Sequence, residues 1–127
     1  MDRIFYICAG LIGFLGFVFG AFAAHGLKAV VEPDMVGVFE AGVRYQMYHA
    51  FALFAAAWGW SRWRTKAFGA AGWLFVIGVV VFSGTLYVIA LTGARWLGAV
   101  TPFGGMALLT GWLCLVVGAI RAPRVNS

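Results

Sequence analysis

Apolar residues fall in four long runs separated by short polar stretches. The first, about residues 4–24, carries no charge and closes at His25-Gly26. The second, about 36–61, is mixed, with Glu40, Arg44, Gln46 and His49 in its first half and a clean apolar second half. The third covers about 67–91. The fourth, about 104–120, follows the turn signal Thr101-Pro102 and opens on the pair Gly104-Gly105. A membrane span needs roughly 20 apolar residues, so each run predicts a transmembrane helix. The second, at about 39 Å, overshoots a hydrocarbon core of roughly 30 Å, so its polar start is expected to project past the surface or to tilt. Ala21-Phe22-Ala23 has the pattern of a signal cleavage site, but the run before it exceeds the roughly 7–15 residues of a signal h-region.

Composition agrees with this reading. The chain has 127 residues, 64% hydrophobic and 10% charged, against about 25% charged in a soluble domain. So few charges cannot clothe a water-facing globule of this size, which excludes soluble α/β enzyme folds. A transmembrane barrel would alternate polar and apolar residues in segments of about ten, and these runs are continuous. The expected fold is an all-α membrane protein: one integral membrane domain over residues 1–127, a four-helix transmembrane bundle with short loops.

Charge adds an orientation. Four spans put the N-terminus, the loop Ser61 to Lys66 and the C-terminus on one side, with Arg3, Arg62, Arg64, Lys66, Arg121 and Arg124. The other side holds Lys28 and Arg95, plus Arg44 if that helix end projects, with the acids Glu32, Asp34 and Glu40. By the positive-inside rule the first side, with both termini, is cytoplasmic. The net charge of +5 then reflects topology and anionic headgroups, and no nucleic-acid partner is expected. Glu40 and Arg44 fall on the lipid side of the second helix and are expected at the headgroups as an i, i+4 surface pair.

Small residues mark where helices meet. Gly10, Gly13, Gly16, Gly20 and Ala24 form one stripe on the first helix, centred on Gly16-x-x-x-Gly20. On the second, Gly42, Tyr45, His49, Ala52, Ala56 and Gly59 share a face, opposite Phe51, Phe54 and Trp58. On the third, Gly69, Gly72, Val76, Val80, Ser83, Tyr87 and Ala90 align. On the fourth, Gly104, Gly111 and Gly118 repeat every seven residues, the spacing of a left-handed seam. Gly13, Gly16, Gly20, Gly104, Gly111 and Gly118 are thus the candidate packing positions, within one chain or against another protomer or partner.

The candidate chemistry lies in uncharged polar groups. His49 sits about 18 Å from the cytoplasmic end, with Tyr45 and Gln46 a turn further out; Ser83 and Tyr87, at about 24 and 30 Å along the third helix, occupy the same outer half. His25 and Thr101 belong near the outer end. An ionisable group inside a membrane is by default a functional candidate, so His49 heads a cluster of His25, Tyr45, Gln46, His49, Ser83, Tyr87 and Thr101. It could hydrogen-bond a polar solute or simply bridge helices. Two histidines in different spans without a carboxylate at matching depth do not make a metal site. No nucleophile elbow, phosphate loop, dinucleotide fingerprint or zinc-protease motif occurs; no catalytic residue, metal or cofactor is expected.

Four strings recur together in order: Gly20-Ala-Phe-Ala-Ala-His-Gly-Leu27, Tyr45-Gln-Met-Tyr-His49, Phe82-Ser-Gly-Thr-Leu-Tyr87 leading into Ala-Leu-Thr-Gly93, and Thr101-Pro-Phe-Gly-Gly105. By these the chain resembles the domain of unknown function 423 family, small bacterial inner-membrane proteins similar to transmembrane protein 256, over essentially its whole length. Ala23, Thr85 and Phe103 are small departures. The resemblance implies a multi-pass helical protein of the inner membrane and supplies no catalytic residues. Two functional readings follow: a non-enzymatic bundle that self-associates or docks to a membrane complex, or a small-solute channel or carrier using the polar cluster. A lipid-modifying enzyme ranks below both.

Overall fold

The computed structural model describes residues 1–124, which form four long helices: α1 Asp2–His25, α2 Pro33–Trp63, α3 Lys66–Thr92 and α4 Thr101–Arg121. The expected helices all appear, each longer than its apolar run; the C-terminal residue itself lies outside the described residues. The extra length comes from terminal signals. Pro33 opens α2, where a missing N–H costs nothing. Pro102 does the same in α4, so Thr101-Pro102, expected to be a turn before the helix, is its first turn. At the other ends, α2 stops at Arg64, which adopts the left-handed conformation (φ 52°) with its N–H on the Trp60 carbonyl at 2.8 Å. Only Arg64 and Thr65 then separate α2 from α3. Gly93 (φ 75°) ends α3 in the same conformation, which glycine adopts without strain.

Partners along the helices give an up-down-up-down bundle. Gly13 faces Ala50, Gly16 faces Met47 and Gly20 faces Val43, so α1 and α2 are antiparallel. Gly59 meets Phe68 and Gly42 meets Tyr87, which makes α2 and α3 antiparallel. Near the start of both α1 and α3, Phe5 packs edge-on to Trp73 at 5.4 Å; near their ends, Phe19 packs on Tyr87 at 5.0 Å. These two helices therefore run parallel. Three stretches are long and apolar enough to cross a membrane: α1, α3 and Arg95–Arg121, which contains α4. If α1 and α3 cross in the same direction, the chain must return between them, and α2 is that return. Its mean hydropathy is lowered both by Gln46 and His49, buried in the bundle, and by exposed groups such as Glu40, Arg44 and Arg62.

The α3–α4 contact is a regular seam. Gly104, Gly111 and Gly118 lie against Phe82, Phe75 and Phe68, so glycines at a seven-residue spacing receive rings at the same spacing on the antiparallel helix. Between them Leu108 fills the space over Gly78. Lipid offers hydrocarbon as apolar as any core, so this contact gains stability from close van der Waals packing rather than from escape from water. The main buried cluster joins all four helices through Phe5, Leu53, Phe75 and Leu108. Outward faces are apolar: Phe14 and Phe17 on α1, Phe51 and Trp58 on α2, Leu113 and Ile120 on α4 are exposed, as suits lipid contact.

Three details depart from expectation. Val80, aligned with the buried face of α3, points outward, because the Phe75–Phe82 seam turns the helix toward α4. Ala23 is buried while Ala24 and Gly10 are exposed, so the α1 stripe is narrower than the sequence suggests. Glu40 and Arg44 are both exposed but form no ion pair; the inter-helix pair among the described residues is Arg95 with Asp34, 3.1 Å apart, joining the α3–α4 connection to the start of α2.

Candidate functional site

The polar residues of the candidate cluster separate into a closed network, a histidine beside a cleft, and two outliers. Gln46, buried on α2, is the centre of the network. Its Nε2 donates to the Ile12 carbonyl of α1 at 2.8 Å, and its Oε1 accepts from the Tyr87 hydroxyl of α3. One turn earlier the Ser83 hydroxyl donates to the Gly42 carbonyl at 2.7 Å. Glycine is needed at position 42: a Cβ there would lie 2.7 Å from the Tyr87 ring. Without it the tyrosine could not lie across α2 to reach Gln46. The network therefore bolts α1, α2 and α3 together at one level and satisfies its buried groups internally, as a membrane interior requires.

His49 faces the other side of α2. Its Nδ1 lies 2.6 Å from the Tyr45 carbonyl and its Nε2 lies 3.0 Å from the indole Nε1 of Trp112 on α4. An indole N–H only donates, so Nε2 is the acceptor and Nδ1 carries the proton and donates to the carbonyl. Both nitrogens of a neutral imidazole are thereby engaged. The ring packs with Phe75 and Trp112, centroids 5.6 and 5.8 Å away.

This bond is the principal tie between α2 and α4, because the glycine seam draws α4 onto α3. The space left between α2 and α4 is a cleft of about 370 Å³, walled by Tyr45, His49, Phe82, Pro102, Met106 and Trp112 among others, with no charged residue in its lining. Tyr45 joins the hydrogen bonding through its carbonyl alone; its ring, 5.0 Å from that of Phe82, is part-exposed in the cleft and its hydroxyl is free of partners among the described residues. The cleft runs from the first turn of α4, at Pro102, down to Trp112, about 15 Å deeper.

Two expected members stand apart. His25 is exposed at the end of α1, about 20 Å along the helix from Ile12, and does not join the cluster. Thr101 is buried at the α3–α4 contact, its hydroxyl 2.6 Å from that of Thr85 and 3.1 Å from the Leu97 carbonyl. Sequence reasoning overlooked Trp112 and Thr85. Trp112 did carry a signal: it lies in mid-span, away from the interface where tryptophan is favoured, and an indole N–H buried in hydrocarbon needs an acceptor.

Comparison with known proteins places this arrangement among membrane proteins. The family model described as "Protein of unknown function (DUF423)" matches residues 19–105. The UPF0382 membrane protein YwdK of Bacillus subtilis is 38% identical over 122 residues, covering 94% of this chain and 98% of the relative. The UPF0382 inner membrane protein YgdD of Escherichia coli is 36% identical over 123 residues, covering 97% and 94%. No solved structure matches.

Proposed function

Since the chain belongs to the DUF423 family of membrane proteins, whose name assigns no activity, we propose from its own geometry that it is a non-enzymatic bundle that docks laterally to another component of the inner membrane at the α2–α4 cleft. The observation that carries this reading is the contrast between the two sides of α2. Tyr87 donates to Gln46, and Gln46 and Ser83 donate to the Ile12 and Gly42 carbonyls, which removes support from a solute path through them. His49 and Tyr45 instead border a space open to the side. The glycines first considered for self-association, Gly13, Gly16 and Gly20 on α1 and Gly104, Gly111 and Gly118 on α4, face α2 and α3 of the same chain. A second copy or a membrane-protein partner is therefore better sought at the cleft than along those stripes. The bundle holds its cytoplasmic end at Arg3, Arg62, Arg64, Lys66, Arg121 and Arg124, with both termini inside, by the excess of positive charge there.

A photo-crosslinking residue at Met106, on the cleft rim, tests the docking site against one at Phe17, on the lipid-facing side of α1. The expected result in native membranes is a discrete adduct from position 106 that is absent from position 17. Identical bulk-phospholipid adducts at both positions would refute docking at the cleft.

A further inference from the structure

Resting on the docking site just proposed, we infer that the α2–α4 cleft is a binding site for a neutral, planar, lipid-soluble ring compound with an apolar tail, of the quinone class. Four observations point to that chemistry. The volume, about 370 Å³, falls in the range of small-molecule pockets, roughly 300–1,000 Å³. The lining holds no Lys, Arg, Asp or Glu, so it offers no counter-charge to a phosphate or an ammonium head, and an unpaired charge is disfavoured beside it. Four rings border it, those of Tyr45, His49, Phe82 and Trp112, and aromatic walls favour stacked or edge-on contact with a flat ring. Finally, of the lining residues Tyr45 carries the side-chain donor, its hydroxyl, that has no partner among the described residues, since His49 donates to the Tyr45 carbonyl and Trp112 donates to His49.

A quinone carbonyl accepts from Tyr45 and gives nothing back, which matches a site with a donor to spare and no free acceptor on the imidazole. The ring lies against Phe82 and Trp112. The tail leaves past Met106 and Leu109, both exposed on α4, and lies along the helix in lipid. An acyl chain would need neither the rings nor the donor. Gly105 lies beside Phe82 in the lining, where an added Cβ would be 3.6 Å from the ring, ordinary contact. The backbone therefore tolerates a larger side chain there, and that side chain would occupy the cleft.

The test is titration of the full chain in nanodiscs of defined phospholipid with a short-tailed benzoquinone, read by quenching of tryptophan fluorescence. Partition into lipid quenches linearly and without saturation, and the protein's other tryptophans report that background. The expected result is an added saturable component at one quinone per chain, weakened about tenfold in Tyr45→Phe and abolished in Gly105→Leu, whose circular dichroism matches the parent. A saturated fatty-acid methyl ester of equal length does not displace it. Purely linear quenching, survival of the saturable component in Gly105→Leu, or equal displacement by the ester would each overturn the inference. Its failure is distinct from that of the docking reading: a protein adduct at Met106 with linear quenching keeps the docking site and rejects the quinone.

Discussion

Replacing Gly104 by alanine should separate α3 from α4 at a point where nothing can yield. A Cβ built there would lie 2.5 Å from the Phe82 amide nitrogen and 2.9 Å from its Cα, whereas comfortable carbon contacts are about 3.5–4.0 Å. The obstruction is backbone, so relief requires the helices to part by roughly 1 Å, loosening Leu108 over Gly78 as well. Overpacking of this kind costs about 1–3 kcal/mol, against a gain of at most about 1 kcal/mol from alanine's helix propensity. Gly111→Ala meets only the Phe75 ring, at 2.6 Å, but that ring is held between His49 and Trp112, so its cost should be similar. The two differ in rescue. Phe75→Leu should restore part of the stability of Gly111→Ala, while Phe82→Leu should not restore Gly104→Ala, because removing the ring leaves the backbone in place. Gly10→Ala, with nothing within 4 Å, is the control and should match or slightly exceed the parent. Unfolding in mixed micelles with rising SDS fraction, followed by circular dichroism, gives the differences, and a double-mutant cycle isolates each coupling. Equal stability of Gly104→Ala and Gly10→Ala, or full rescue by Phe82→Leu, would refute the seam.

Tyr87→Phe leaves the Gln46 Oε1 without its donor and should destabilise the bundle by about 0.6–1.7 kcal/mol in the same assay; Gln46→Leu in addition should cost less than the sum, because no orphaned amide remains. Trp112→Phe removes the donor to His49 Nε2 while keeping an aromatic ring, so hydrogen exchange should accelerate in α4 around position 112 and stay unchanged in α1, where Gln46 holds Ile12. Orientation is checked with Ser61→Cys and Ala94→Cys in a background lacking Cys8 and Cys114. A membrane-impermeant thiol reagent added to spheroplasts should label position 94 alone, and labelling of position 61 from outside would reverse the topology.

How much of this was legible from sequence depends on whether one helix or two carried the signal. The glycine repeat on α4 announced a seam by itself, since small residues at a seven-residue spacing have few other uses in a membrane. The receiving rings at Phe68, Phe75 and Phe82 carry the same spacing, yet phenylalanine is also the ordinary lipid-facing residue, as at Phe14 and Phe51. Only the partner helix shows which rings turn inward. The same holds for the polar groups. Depth along each helix puts Gln46, Ser83 and Tyr87 at matching levels of α2 and α3, the level at which Tyr87 donates to Gln46 and Ser83 to the Gly42 carbonyl. Depth could not reveal that Gln46 also reaches the Ile12 carbonyl, because every residue of α1 presents a carbonyl and no side chain marks the one used.

The two modes of packing also account for the cleft. On one side of α2 a side-chain amide ties three helices; on the other, α4 is fixed to α3 by shape alone, glycine against ring, and every glycine that lets it approach α3 draws it away from α2. Apart from the core they share at Leu108, the α2–α4 contact rests on one side-chain hydrogen bond, between His49 and Trp112, with aromatic walls and no charge around it. In hydrocarbon there is no hydrophobic force to collapse such a space, because lipid fills it at no penalty. A cleft of this kind therefore persists without strain, and a ring that matches its walls and meets the Tyr45 hydroxyl gains what a lipid chain cannot: one hydrogen bond and aromatic contact. That difference, rather than the apolar volume, is what would let the site choose a ligand from the surrounding lipid.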